Sequence, residues 1–158
     1  MANTQSMCTS FLGEVLTATH NFGTAPIRAA TTADTFKAAL YLTSATINAS
    51  TTAYSSTGEV TGTNYTAGGV TVTNATAPTA TNSSITAGVA YWTPSASISY
   101  TTVTLATAFD AVLIYNSSKS DKAVSVHTFG SQTITAGTFT LTMPANGTTT
   151  ALLRLATT

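Results

Sequence analysis

The alternation of apolar and polar positions is most regular between Ala108 and Met143, where three short apolar runs are separated by turn-forming residues. Ala111-Val112-Leu113-Ile114-Tyr115 is rich in β-branched and aromatic side chains, which fit a pleated, partly buried surface. Asn116-Ser117-Ser118-Lys119-Ser120-Asp121 follows, a run whose short polar side chains bond their own backbone in turns. Ala123-Val124-Ser125-Val126-His127 returns with partial alternation, and Gly130-Ser131 interrupts it. Beyond Ala136-Gly137, the run Thr138-Phe139-Thr140-Leu141-Thr142-Met143 alternates with period two. The pattern predicts a β-meander with one face buried.

Similar patterning marks strands elsewhere. Residues 35–46 set Phe36, Ala38, Leu40 and Leu42 on one face and Lys37, Ala39, Tyr41 and Thr43 on the other, a half-buried strand. Val70-Thr71-Val72-Thr73 alternates strictly behind Gly68-Gly69, which predicts a tight turn or bulge. A phosphate cradle at those glycines would require a lysine and a following helix, and neither is present. Residues 97–106 form another alternating strand with a change of phase. Ala151-Leu152-Leu153-Arg154-Leu155 follows the Pro144-Ala145-Asn146-Gly147 turn as a last strand, and Trp92 reads as a core anchor.

One stretch has helical spacing instead. In residues 4–19, Met7, Phe11, Leu12, Val15 and Leu16 recur along one stripe, with Thr4 placed to cap. Gly13 and the β-branched residues weaken this helix, so it needs a surface to dock on, either the sheet or a neighbouring subunit. Cys8 lies beside the stripe and reads as a small buried hydrophobe. Two connectors of small polar residues, 48–64 and 78–84, separate the strands, and the first is longer than a compact fold needs. About eight strands at this spacing predict a mainly β fold, a jelly-roll-like β-sandwich, with an immunoglobulin-type sandwich as the alternative. The expected division is an N-terminal helix and arm over residues 1–30 and a single β-sandwich domain over 31–158.

Composition narrows the function. Only 6% of the 158 residues are charged, against roughly 25% in an ordinary soluble domain. Five basic side chains balance five acidic ones. That shortage argues against nucleic-acid binding and against a polybasic membrane surface. No apolar stretch reaches the ~20 residues a membrane helix needs. Thr contributes 38 residues and Ala 26, so the strands are neutral, hydroxyl-rich and short of the Lys, Glu and Pro that blunt exposed edges. A homo-oligomer, a trimer or dimer, is expected. The single Cys excludes an internal disulfide.

Candidate chemistry is sparse. The carboxylates Glu14, Asp34, Glu59, Asp110 and Asp121 include no pair spaced to share one face of an element. His20 and His127 are the only imidazoles, no Gly-X-Ser-X-Gly elbow is present, and one Cys with two distant His makes a poor zinc set. His127, beside Thr128 and Phe129, reads as a hydrogen-bonded structural histidine. The expectation is a protein that is not an enzyme and takes no cofactor or metal. The densest charge cluster, Lys119-Ser120-Asp121-Lys122, falls in the predicted hairpin turn, where it is either a solvated tip or a contact for a partner.

Phe36-Lys37-Ala38-Ala39-Leu40-Tyr41, Gly58-Glu59-Val60, Tyr65-Thr66-Ala67-Gly68-Gly69 and Leu113-Ile114-Tyr115-Asn116-Ser117-Ser118-Lys119 resemble a family of small structural proteins of tailed bacteriophages. The resemblance spans most of the chain. It implies a virion component assembled in the host cytoplasm, a head decoration (cement) protein bound to the major capsid protein, or else a tail- or fibre-associated subunit. In the second case Tyr41, Tyr54, Tyr65, Tyr91, Trp92 and Tyr100 would be the stacking platforms for a receptor or glycan. The residues expected to face a partner are Phe11, Leu12, Val15 and Leu16 of the helix and Lys119, Asp121 and Lys122 of the hairpin tip.

Overall fold

The structure, a computed structural model, describes residues 3–16, 19–20, 22, 34–73, 78–81 and 88–156, with the backbone alone at positions 12, 13 and 16. In chain order the elements are β1 (Ser6–Met7), α1 (Thr9–Leu16), β2 (Phe36–Leu42), β3 (Val70–Thr71), β4 (Thr79–Ala80), β5 (Val89–Trp92), β6 (Ile98–Asn116), β7 (Lys122–Leu141) and β8 (Leu153–Ala156). The protein is mainly β. A five-stranded antiparallel sheet has the order β1-β7-β6-β2-β3, and a three-stranded one has the order β4-β5-β8.

The predicted meander is instead one long hairpin, β6 paired with β7. Its turn forms where the sequence placed it. The Asn116 side-chain oxygen accepts the Ser118 N–H at 3.1 Å, and Ser120 and Asp121 take left-handed conformations (φ 52° and 56°) that short polar residues tolerate. The expected breaks at Gly130-Ser131 and Ala136-Gly137 do not end strands. The ladder absorbs them as register shifts, with Ala136 at φ 46° and Thr102, on the facing strand, at φ 54°. For the same reason the strands read separately at 97–106 and 111–115 merge into the single β6, which starts at Ile98. An interruption of period two is compatible with either a turn or a bulge, and here pairing across the hairpin selects bulges.

β2 was expected to be half buried, yet Phe36, Ala38, Ala39, Leu40 and Tyr41 are all buried. Both faces of the sheet are covered, by different parts of the chain. Phe36 meets Phe22, His20 and Trp92, while Tyr115, one residue along from Phe36's partner Asn116 and so on the opposite face, stacks on Tyr54 at 4.7 Å. The Phe36–Trp92 contact also brings β5 against the large sheet. Val112, Leu113 and Ile114, at 1% exposure or less, form the centre of the core, each burial contributing about 1.5–3 kcal/mol.

The helix is shorter than its predicted stripe. Residues 6–7 pair with β7 as β1, and the Thr4 N–H donates to the Ile47 carbonyl, so Thr4 does not cap α1. Phe11 and Cys8 join the same buried cluster as β2, β6 and β7, and Val15 packs against it. The side chains of Leu12 and Leu16, the residues around the expected boundary at 30/31, and residues 82–84 of the second connector lie outside the described structure. Gly68 and Gly69 do form the tight turn expected ahead of β3, with φ of 86° and 70°.

Candidate functional site

Two built polar clusters anchor the connections of the large sheet. The first centres on Glu59, whose side chain is buried although the stretch around it is hydroxyl-rich and exposed. Its Oε2 accepts the Tyr54 hydroxyl at 2.6 Å, and its Oε1 accepts the Tyr65 hydroxyl and the Gly68 N–H, both at 2.8 Å. A buried carboxylate is tolerable only when such donors replace water. The donors are themselves tied down. The Tyr65 oxygen accepts the Leu40 N–H, the Gly68 carbonyl accepts the Tyr115 hydroxyl, and Tyr100 donates to the Ala38 carbonyl. Gly69 lies so close to β2 that a Cβ there would sit 1.7 Å from the Ala38 oxygen. Only glycine fits this turn.

The tyrosines of the clasp remain protonated donors. Burial pushes the Tyr41 hydroxyl up to about 12 despite its bond to the Ser55 carbonyl. Burial, then the neighbouring Asp121 and Glu59 charges, does the same for Tyr115, also to about 12. Tyr54, Tyr65 and Tyr100 are raised further, first by burial and then by Glu59. Both carboxylate oxygens are engaged, so the arrangement fixes backbone: it locks residues 54–69 to β2 and β6.

The second cluster joins the N-terminal segment to the hairpin turn. Glu14 pairs with Lys122 at 2.5 Å and with His20 Nε2 at 2.7 Å. The Asn116 amide lies 3.0 Å from His20 Nδ1 and donates to Asp34 at 2.8 Å. Since that amide also points its oxygen at Ser118, its nitrogen must face His20, which assigns His20 the tautomer with hydrogen on Nε2, toward Glu14. Burial opposes ionisation of Glu14, but hydrogen bonds from Lys122 and His20 outweigh it and hold the carboxyl below its ordinary value.

Of the residues expected to face a partner, Phe11 is 2% exposed and packs in this chain's own core. Lys122 reaches back to Glu14, and Lys119, 46% exposed at its side chain, lies 3.7 Å from Asp34. Asp121 is half buried, and its carbonyl accepts the Tyr54 N–H. That bond, with the Ala53–Lys122 bridge, sets the two predicted contact loops side by side, Ser50, Thr52, Ser55, Ser56 and Thr57 exposed next to 118–120. The clasp escaped sequence reasoning because Tyr54, Tyr65 and Gly68 converge on Glu59 only when their loop folds against β2 at Leu40 and β6 at Tyr115, the latter 56 positions from Glu59. The one available signal was a lone carboxylate in a charge-poor stretch, flanked by Tyr54 and Tyr65.

Ser125 Oγ and His127 Nε2 lie 2.9 Å apart, and burial lowers the His127 imidazole to about 4, a neutral structural group at pH 7. Cys8 is buried, its thiol pushed up to about 11 by burial and then by Glu14. An apolar groove of about 210 Å³ runs between α1 and the small sheet, lined by Phe11, Val15, Phe22, Tyr91, Trp92 and Leu153 among others. Among the described residues, no three His, Cys, Asp or Glu side chains are grouped to hold a metal, and no helix is long and apolar enough to cross a membrane. No family model, curated protein or solved structure matches the chain.

Proposed function

We propose that this chain is a structural subunit of a tailed-phage virion, a head decoration protein that binds the major capsid protein on the outside of the assembled shell. The observation that carries the reading is the Glu59 clasp. Gly58-Glu59-Val60, Tyr65 to Gly69, β2 and the Leu113–Lys119 run, the pieces on which the family resemblance rests, are the pieces the clasp draws together. They build a rigid β scaffold that presents adjacent hydroxyl-rich loops, 50–57 and 117–121. The two sheets, meeting through Phe36 and Trp92, are consistent with a jelly-roll-like sandwich. Binding only to the assembled shell shifts the equilibrium away from disassembly by mass action, and many copies multiply a small gain per site.

The alternative, a tail-fibre receptor module, needs several aromatic faces exposed together. Tyr41, Tyr100 and Trp92 are buried, and Tyr54 and Tyr65 spend their hydroxyls on Glu59, which favours the decoration reading. The test is copy number by densitometry of purified particles, with thermal stability of shells with and without the protein. Hundreds of copies and stabilised shells are expected. A few copies, or shells indifferent to the protein, would sink the proposal.

A further inference from the structure

The outer edge of β7 changes character along its length. Up to Val126 it is occupied: Ala123 donates to the Thr52 carbonyl, the Val124 carbonyl accepts the Cys8 N–H, and β1 pairs with Ser125 and Val126. Gln5 then reaches Thr128 with its side chain, and from Phe129 to Leu141 no strand pairs and no backbone group hydrogen-bonds on that side among the described residues. This edge holds no Lys, Arg, Asp, Glu or Pro. A row of unpaired N–H and C=O groups without a gatekeeper is a template for another strand.

Bulges around Ala136 blunt the middle of the edge, but its last rungs are regular, with Phe139 opposite Tyr100, Thr140 opposite Ser99 and Leu141 opposite Ile98. The sequence there is Thr138-Phe139-Thr140-Leu141-Thr142, a palindrome in side-chain type about Thr140. The three threonines are exposed, whereas Phe139 and Leu141 are half buried on the face where Phe139 meets Phe109 and Phe129. We propose that residues 138–142 pair antiparallel with the same residues of a second copy, across a two-fold axis at Thr140.

Such pairing sets Phe139 against Leu141 of the copy and Thr138 against Thr142. Apolar meets apolar and hydroxyl meets hydroxyl, the combinations that stabilise cross-strand pairs. Neither edge carries charge to repel the other. A second copy therefore matches the edge on both faces and completes the cover over Phe139. The inference stands on the edge alone and does not rest on the virion reading.

The test is the mass of the full chain by analytical ultracentrifugation, without capsid, from micromolar to hundreds of micromolar. A concentration-dependent dimer is expected. Thr138→Lys with Thr140→Lys should return a monomer with unchanged circular dichroism and melting temperature, because both sites are exposed. Should that pair disturb folding, Thr140→Cys decides: opposed Cα atoms in an antiparallel pair lie about 4.5–5.5 Å apart, within disulfide reach. Mild oxidation should cross-link Thr140→Cys, while the equally exposed Thr133→Cys stays monomeric. A wild-type monomer at every concentration, a trimer, a folded lysine variant that still dimerises, or failure of Thr140→Cys to cross-link would overturn the proposal.

Discussion

The near half of the hairpin, residues 109–116 with 122–128, and the far half, 98–108 with 129–141, belong to the same two strands but have opposite fates. In the near half the sheet is covered on both faces and extended on both sides, by β1, β2, the N-terminal segment and residues 52–60. Six consecutive residues of β6, Ala111 to Asn116, are buried as a result. In the far half β6 has Thr63 as a bridge partner at Thr104 and β7 has none outside among the described residues, so burial follows one face. Period-two patterning thus describes the far half well and the near half poorly, because a strand with two covered faces has no solvent side to mark.

The sharpest way to break this comparison is a pair of truncations. Leu113→Ala, at the centre of the near half, should cost about 2–5 kcal/mol, while half-buried Ile134→Ala in the far half should cost about 1 kcal/mol. Urea denaturation midpoints decide, and equal losses would erase the distinction.

Next is the clasp. Glu59→Leu strands three donors, each worth about 1–3 kcal/mol when left unpaired, and with water reaching Tyr54 the total should fall near 3 kcal/mol. Glu59→Gln keeps one acceptor oxygen and should lose less. Hydrogen exchange should speed up at residues 54–69 and Leu40 before it does at β7. Uniform loss of protection would show that the clasp is not a local lock.

A smaller effect separates the halves by pH, since residues 128–141 contain no titratable side chain. His127, in the near half opposite Val112, is held near 4 against 6.5 when unfolded. Between those values the unfolded chain binds the extra proton, so stability is full above about 6.5 and falls as pH drops toward 4, with about 2 kcal/mol lost by about pH 5. His127→Gln should flatten that slope. An unchanged slope would place the titration elsewhere.

The smallest effect is Lys122→Ala, about 1 kcal/mol or less for a pair whose lysine is 39% exposed, and diminishing with salt. Because the Glu14 carboxyl is held low, the pair's contribution is present above the unfolded carboxyl range and lost as pH falls through the folded value. Melting curves across pH and salt test both. Indifference to salt would mean that the lysine stem packs rather than pairs.

The sequence alone determined the β class, β2, the hairpin turn at Asn116, the glycine turn before β3 and the burial of Trp92 and Cys8, because each is written in local chemistry: period two, turn-forming side chains, glycine where φ is positive. Only the tertiary structure decided that the breaks at Gly130 and Ala136 are bulges, that β2 is covered on both faces, and that Lys122 turns toward Glu14. The Glu59 clasp belongs to that second group as well, since its carboxylate, two phenols and one glycine N–H are unremarkable singly. Local pattern records which residues avoid water, whereas a buried charge is stabilised by donors that only folding brings together.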